Sequence, residues 1–323
     1  MELVRDLHNL QSCHQECVVS IGNYDGVHIG HQAVIRQLRE IALARRLPAV
    51  VMIFEPQPLE YFSPANAPAR LTGLRDKLLW LQEQHIDRVF CLKFGAALAN
   101  LEAEEFISRL LVQGLDVKHL VVGDDFRFGK GRRGDFSLLR QSGNKYGFEV
   151  IATETHCADG VRVSSSRIRD LLQEGNLKSA AALLGRPYNI SGRVVHGDHR
   201  GRELGFPTAN ISLRRSKSPL HGVYSARVTL PDGEQRSGVV NVGTRPVFDG
   251  RRFLLEAHLP GFSGNLYGAH LRVEFLRFIR AERKFASVGD LCDQIRRDIE
   301  TAERQRCEDV QDFSKSGNVT NDK

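Results

Sequence analysis

The order in which apolar runs and helix-periodic segments alternate restricts this chain's fold more than any other feature. Cys17 to Ile21 is a short apolar run, His31 to Arg46 carries Val34, Leu38, Ile41 and Ala42 at helical spacing before Pro48, and Ala49 to Phe54 is apolar again. Strand, helix, strand is a βαβ unit, with parallel strands and a right-handed crossover. The pattern continues through Leu74 to His85 (helical), Arg88 to Phe94 (extended), Glu102 to Gln113 (helical), His119 to Val122 (extended), Ser137 to Tyr146 (helical) and Phe148 to Thr153 (extended). A doubly wound α/β sheet follows. Leu177 to Leu184 reads as a short helix closing that domain.

After Gly185-Arg186-Pro187 the pattern changes to crowded strands: Tyr188 to Val195, Gly222 to Leu230, Gly238 to Val242, Phe253 to Leu259 and His270 to Ile279. Such spacing predicts a small closed β-barrel. Ser287-Val288-Gly289-Asp290 resembles a capping box ahead of Leu291, Ile295 and Ile299, so a C-terminal helix should pack against it. The expected organisation is an α/β domain over residues 1–185, a β domain over 186–307, and a disordered polar tail over 308–323.

No apolar run can span a bilayer, and the charged start Met1-Glu2-Leu3-Val4-Arg5-Asp6 lacks a signal-peptide core, so a cytoplasmic protein with no membrane partner is expected. Six cysteines are widely scattered, which predicts free thiols. Cys13, His14 and Cys17 have no second cluster to complete a tetrahedral metal site. The net charge of +6 suits nucleic acid or phosphorylated substrates equally.

Three polar stretches each fall just after a run that reads as a strand: His28-Ile29-Gly30-His31, Gly123-Asp124-Asp125-Phe126 and Ser164-Ser165-Ser166-Arg167. Ligands of open α/β sheets bind beyond the carboxyl ends of the strands, so these stretches should converge on one nucleotide pocket. Gly22 and Gly26 permit a tight turn, Gly30 lets a phosphate approach the backbone, and a helix starting near His31 offers unpaired N–H groups. Ordinary loop and cap roles for His28 and His31 are the competing reading. Ser164 to Ser166 place hydroxyls at a helix start, where Arg167 and Arg169 oppose the dipole unless an anion compensates; a plain serine cap also accounts for them. The segment from Gly123 to Asp135, with Phe126 and Phe128 between cations, suits phosphates, a solvated surface or stacked bases.

In the second half, Thr208 and Asn210 point the same way on an extended segment and can share one Mg²⁺; buried hydrogen-bonders are the alternative. Glu256 follows Phe253-Leu254-Leu255, where a carboxylate is costly unless paired, exposed or functional. His196 to Gly205, with Gly201 and Arg202, is a glycine-bearing polar flap suited to closing over phosphates, without Walker spacing.

The stretches Ile21 to His31, Val122 to Gly129 and Val163 to Arg169, together with Gly205-Phe206-Pro207-Thr208-Ala209-Asn210, resemble the bacterial bifunctional riboflavin kinase/FMN adenylyltransferase family, the prokaryotic FAD synthetases, over about residues 1–305. The resemblance implies a Rossmann-like nucleotidylyltransferase domain followed by a riboflavin-kinase barrel. It implies that ATP phosphorylates riboflavin to FMN, and that a second ATP adenylylates FMN to FAD with release of pyrophosphate, Mg²⁺ serving each site. His28 and His31 would hold ATP phosphates, with Gly22, Asp25 and Gly30 in the same nucleotide-binding stretch. Ser164, Ser165 and Arg167 would lie near the phosphates, and Asp124 and Asp125 on the adenosine or flavin side. Gly201 and Arg202 would belong to a flap over ATP, Thr208 and Asn210 would hold the metal, and Glu256 would be the base.

Departures from the family pattern are Tyr24 for phenylalanine, Ser166 for threonine, Phe54-Glu55-Pro56-Gln57-Pro58 for Asp-Pro-His-Pro, and Gly261 and Asn265 for aspartates. The last two keep open a single-activity member with an impaired kinase. A non-catalytic RNA- or DNA-binding protein is a further alternative, but it leaves Glu256 and both histidines without work. The expected partners are therefore small molecules, namely ATP, riboflavin and FMN, and not nucleic acid.

Overall fold

The computed structural model describes residues 1–153, 157–158, 161–197, 201, 204–213, 217–247 and 250–316. The chain divides into two compact units, one formed by Met1–Pro68 and Leu74–Ser165, the other by Ala69–Gly73 and the chain from Ser166 onward.

The first unit runs β1 (Glu2–Arg5), β2 (Cys17–Ile21), α1 (Ile29–Arg45), β3 (Ala49–Glu55), α2 (Pro58–Phe62), α3 (Leu74–Glu83), β4 (Arg88–Lys93), α4 (Ala96–Ala99), α5 (Ala103–Phe106), β5 (Val117–Gly123), α6 (Phe136–Tyr146), β6 (Glu149–Thr153) and a short hairpin, β7 (Cys157–Ala158) with β8 (Val161–Arg162). Six strands form one sheet in the order β1-β4-β3-β2-β5-β6, and every pairing is parallel. All of β2 and the first six residues of β3 are buried, as expected for strands covered on both faces. Val19, Val50, Met52, Phe90 and Leu120 pack on one side with Phe106 and Leu110, while Val18, Val51, Val89 and Val121 pack on the other with Ile35, Leu38 and Leu81. Helices thus cover both faces of a doubly wound sheet. The chain steps from β2 outward through β3 and β4, then crosses back to β5, so the strand order reverses between β2 and β5.

The second unit contains most of α7 (Ser165–Gln173), α8 (Leu177–Leu184), six strands and a long last helix, α9 (Val288–Ser316). The strands are β9 (Asn189–Val195), β10 (Thr208–Ser212), β11 (Gly222–Thr229), β12 (Gln235–Val247), β13 (Gly250–His258) and β14 (His270–Arg280), closed into a barrel in the order β10-β13-β12-β11-β14-β9. Its interior is filled by alternate residues, among them Ile211, Tyr224, Ala226, Val240, Val242, Leu255, Ala257 and Val273.

Several expectations need correction. Ser164 to Ser166 follow the two-residue strand β8 of a hairpin, not a strand of the main sheet. β1 extends the sheet edge where no strand was read, and the helix expected to Gln113 is a single α-turn followed by a π-helix, Ile107–Gly114. Helix α8 does not close the first unit: Leu177, Ala180 and Leu184 are buried in the barrel's core cluster with Ile168, Leu171 and Leu172. Packing therefore divides the chain at Ser165/Ser166, well ahead of the change in pattern at Gly185. The stretch from Glu308 to Ser316, read as disordered tail, continues α9. Each further residue of a helix gains a backbone hydrogen bond without needing an apolar anchor, and Glu308 is tied to Arg277 at 2.7 Å. Residues 317–323 lie outside the described residues. Among the described residues no helix is long and apolar enough to cross a membrane.

Candidate active sites

In the first unit the β2-to-α1 connection leaves the sheet at its switch point, the crevice where doubly wound sheets bind nucleotides. The Gly22 N–H is anchored on the Met52 carbonyl at 3.1 Å, and Tyr24, Gly26 and Val27 take positive φ values of 46°, 88° and 40°. That tight path sets His28 as the N-cap of α1, which starts two residues before the expected His31. The His31 N–H donates to His28 Nδ1 at 3.2 Å, so Nδ1 is the acceptor and the neutral ring carries its proton on Nε2. The two imidazoles stack with centroids 3.6 Å apart, and the Tyr24 ring lies 5.0 Å from His31. Tyr24 is buried, which pushes its phenol up to about 12, and it donates to Ser20 Oγ at 2.6 Å. Tyrosine here thus finds a partner for the hydroxyl that phenylalanine lacks.

Gly30 is required by close approach, because a Cβ there would stand 3.2 Å from His28 Nδ1 and 3.6 Å from the Val163 carbonyl oxygen. A Cβ at Gly22 would stand 3.2 Å from the Tyr24 ring. Asp25 is buried, and its backbone carbonyl accepts from Ser165 Oγ at 2.9 Å, which ties the start of α7 to the β2-to-α1 turn. Ser164 is half-buried beside it, whereas Arg167 is exposed on the first turn of α7.

Asp124 and Asp125 follow β5 on the opposite side of the switch point and are exposed, Asp125 pairing with Arg162 at 3.0 Å. Of the aromatic residues in that loop, Phe128 is buried against Phe106 with centroids 5.2 Å apart. Its cations are largely spent locally, Arg127 on Asp135 at 3.0 Å and Lys130 on Glu102 at 3.3 Å.

In the second unit the strand register does what sequence spacing only suggested. Thr208 pairs with His258 and Asn210 with Glu256 across β10 and β13, while Glu256 pairs with Asn241 across β12 and β13. Opposed residues of antiparallel strands share a face, so all five point away from the apolar interior. Thr208, Asn241, Glu256 and His258 line a cavity of about 280 Å³ with Phe206, Phe285, Leu291 and Ile295. Thr208 also lines a second cavity of about 400 Å³, with Asn265, Leu266 and Tyr267. Asn210 is 8% exposed, and its Oδ1 has no hydrogen-bond partner among the described residues. A Cβ at Gly201 would stand 3.3 Å from Thr208 Oγ1, so the flap residue meets the metal candidate; Arg202 lies outside the described residues. In the 261–268 loop Asn265 Oδ1 accepts from the Tyr267 N–H at 3.0 Å, holding the turn without an aspartate charge.

Asn241, at this cavity, was missed. Asn241 and Glu282 join through Asn241 Nδ2 and Glu282 Oε1 at 3.1 Å. A polar residue inside the apolar strand Gly238 to Val242 was the available signal, of the same kind that drew attention to Glu256.

A switch-point crevice with amide and imidazole donors in one unit, and in the other a barrel whose cavity holds a carboxylate and an amide oxygen unpaired among the described residues, define a nucleotide-dependent transferase with two sites. Residues 10–167 match the FAD synthetase family and residues 184–306 the riboflavin kinase family. The bifunctional riboflavin kinase/FMN adenylyltransferase of Escherichia coli (strain K12) is 52% identical over 303 residues, covering 94% of this chain and 97% of its own. That of Haemophilus influenzae is 48% identical over 302 residues, covering 94% and 98%. The chain belongs to the bifunctional riboflavin kinase/FMN adenylyltransferase family. A solved structure from Streptococcus pneumoniae, described as a macrolide-efflux protein, is similar to it with a TM-score of 0.77 and 30% identity, covering 94% of this chain and 99% of that one.

Proposed function

We infer that the barrel phosphorylates riboflavin with ATP to give FMN, and that the sheet unit joins FMN to the AMP of a second ATP, giving FAD and pyrophosphate. For the first step the supporting observation is that Thr208 borders both cavities. A triphosphate in the larger and an alcohol in the smaller would meet beside Thr208, with Glu256 on the alcohol's side. Glu256 accepts the hydroxyl proton as the oxygen attacks the γ-phosphorus and ADP leaves. The donor set fits Mg²⁺: the buried Asn210 Oδ1 lacks a partner among the described residues, and Thr208 Oγ1 lies two residues away on the same face. When bound there, the ion would neutralise charge on the transferring phosphoryl group.

In the adenylyl transfer, His28 offers Nε2–H, and the first-turn amides of α1 add donors at the positive end of the helix. These groups take up charge that builds on the α-phosphoryl oxygens as the FMN phosphate attacks in line. The stacked His31 ring, backed by Tyr24, completes the wall. Asp124, Asp125, Ser164, Ser165 and Arg167 remain assigned to the nucleotide and flavin surroundings. No observation favours a chain with one activity. The partners are small molecules; of the two loop rings that the nucleic-acid reading called on, Phe128 is buried in the core and Phe126 is partly buried against it. A reducing compartment, the cytoplasm, suits the free thiols of Cys13, Cys17, Cys91, Cys292 and Cys307.

The test is to incubate the chain with riboflavin, ATP and Mg²⁺ and separate the flavins by chromatography. FMN followed by FAD is expected. FMN alone, or FAD only from supplied FMN, overturns the two-step reading.

A further inference from the structure

Asn210, Glu256 and Asn241 form a row across three adjacent strands of the barrel. The proposed chemistry uses the first two and leaves Asn241 unexplained. Its amide is oriented by Glu282, whose Oε1 accepts from Asn241 Nδ2 at 3.1 Å, and Gly243 leaves the space for that carboxylate, because a Cβ there would overlap it. Turning the amide over would set two oxygens against each other. Asn241 Oδ1 is consequently fixed as an acceptor, and it is buried without a hydrogen-bond partner among the described residues. An unpaired buried acceptor is costly unless a ligand supplies the donor. Asn241 lines the same cavity as Glu256.

We propose that Asn241 and Glu256 together read the vicinal diol at the end of the flavin's polyol chain, with Glu282 as the positioning residue that aims the Asn241 amide. Glu256 receives the primary hydroxyl, and Asn241 Oδ1 accepts a hydrogen bond from the neighbouring secondary hydroxyl. Two acceptors on adjacent strands complement two donors on adjacent carbons. The pair also decides which alcohol reacts. An amide oxygen orients a hydroxyl without taking its proton, whereas a carboxylate takes it, so the O–P bond forms only at the primary carbon while the bond to ADP breaks.

This proposal rests on the kinase reading of the barrel, and its test separates the two. With the full chain, kcat/KM for riboflavin is measured beside the inhibition constant of 4′-deoxyriboflavin, which lacks the secondary hydroxyl, as a competitor of riboflavin phosphorylation. Asn241→Ala should lower kcat/KM for riboflavin about 30-fold while the inhibition constant stays within about twofold, since only riboflavin loses a bond. Glu282→Ala, at an exposed position, should lower kcat/KM by about fivefold, and Glu282→Gln should restore most of it, because a glutamine oxygen still accepts from Asn241. Equal weakening toward both flavins in Asn241→Ala, or none toward riboflavin, overturns the proposal. If Asn241→Ala does not fold, the Glu282 pair decides: equal rates for Glu282→Ala and Glu282→Gln overturn it. A wild-type chain that fails to phosphorylate riboflavin overturns the kinase reading instead.

Discussion

His28 combines two duties that substitution can separate. It caps α1 through Nδ1, and in the proposed adenylyl transfer its Nε2–H is a donor to the phosphates. Asparagine is a good N-cap but lacks the imidazole, so His28→Asn should keep the unfolding midpoint and lower FAD formation from FMN by about 100-fold. His28→Ala should show the same catalytic loss and in addition cost about 1 kcal/mol in urea unfolding. Should His28→Asn retain full adenylyl transfer, the ring is only a cap. In the barrel, Asn210→Leu keeps the volume but removes the orphan oxygen, and should raise the Mg²⁺ concentration for half-maximal riboflavin phosphorylation at least about tenfold. An unshifted Mg²⁺ curve would remove Asn210 from the metal.

A buried carboxylate ties helix α9 to the barrel. Arg280 grips the Asp298 carboxylate with Nε at 2.9 Å and its second nitrogen at 2.8 Å, and Gln294 Nε2 adds a bond to Asp298 Oδ1 at 2.8 Å. Asp298 is 2% exposed. Removing one partner of such a pair strands a charge, so Asp298→Ala should destabilise the barrel by about 3 kcal/mol in urea unfolding. Phe285, which lines the cavity proposed to take the flavin, lies beneath both Arg280 and Arg283 at 5.7 and 5.1 Å. The same variant should therefore also raise KM for riboflavin, and a normal KM with lost stability would show that the pair serves the fold alone.

Across the molecule, the two chemistries sit in units with separate cores. His31→Ala should abolish FAD formation from FMN and leave riboflavin phosphorylation intact, and Glu256→Gln should do the reverse, each followed by flavin chromatography. Equal loss of both steps in either folded variant would mean one shared site. Burial in β2 pushes the Cys17 thiol up to about 12 from an ordinary 9.0. The folded state therefore favours the neutral thiol, and its contribution to stability is complete below pH 9 and lost as pH rises towards 12. Cys17→Ala should flatten that alkaline limb of the stability curve. Alkylation at pH 8 should reach the exposed Cys13 and Cys307 in the native chain, and Cys17 only on unfolding.

The central strands β2 to β6, the barrel strands other than β10, and the stretches carrying His28, His31, Thr208, Asn210 and Glu256 could be read from the chain alone. Their signals are local: a strand buried on both faces is a continuous apolar run, and a carboxylate or histidine out of place shows within a few residues. The edge strand β1 could not be read, since four residues carry no period and its place depends on pairing with β4 eighty-odd residues later. Nor could the packing of α8 with the barrel, the capping bond from His31 to His28, or the row that joins Asn241 to Glu256. Sequence spacing states which face a side chain takes along its own strand. Which neighbours that face meets is set by register and long-range burial, where the free energy lies in contacts between segments that are far apart in the chain.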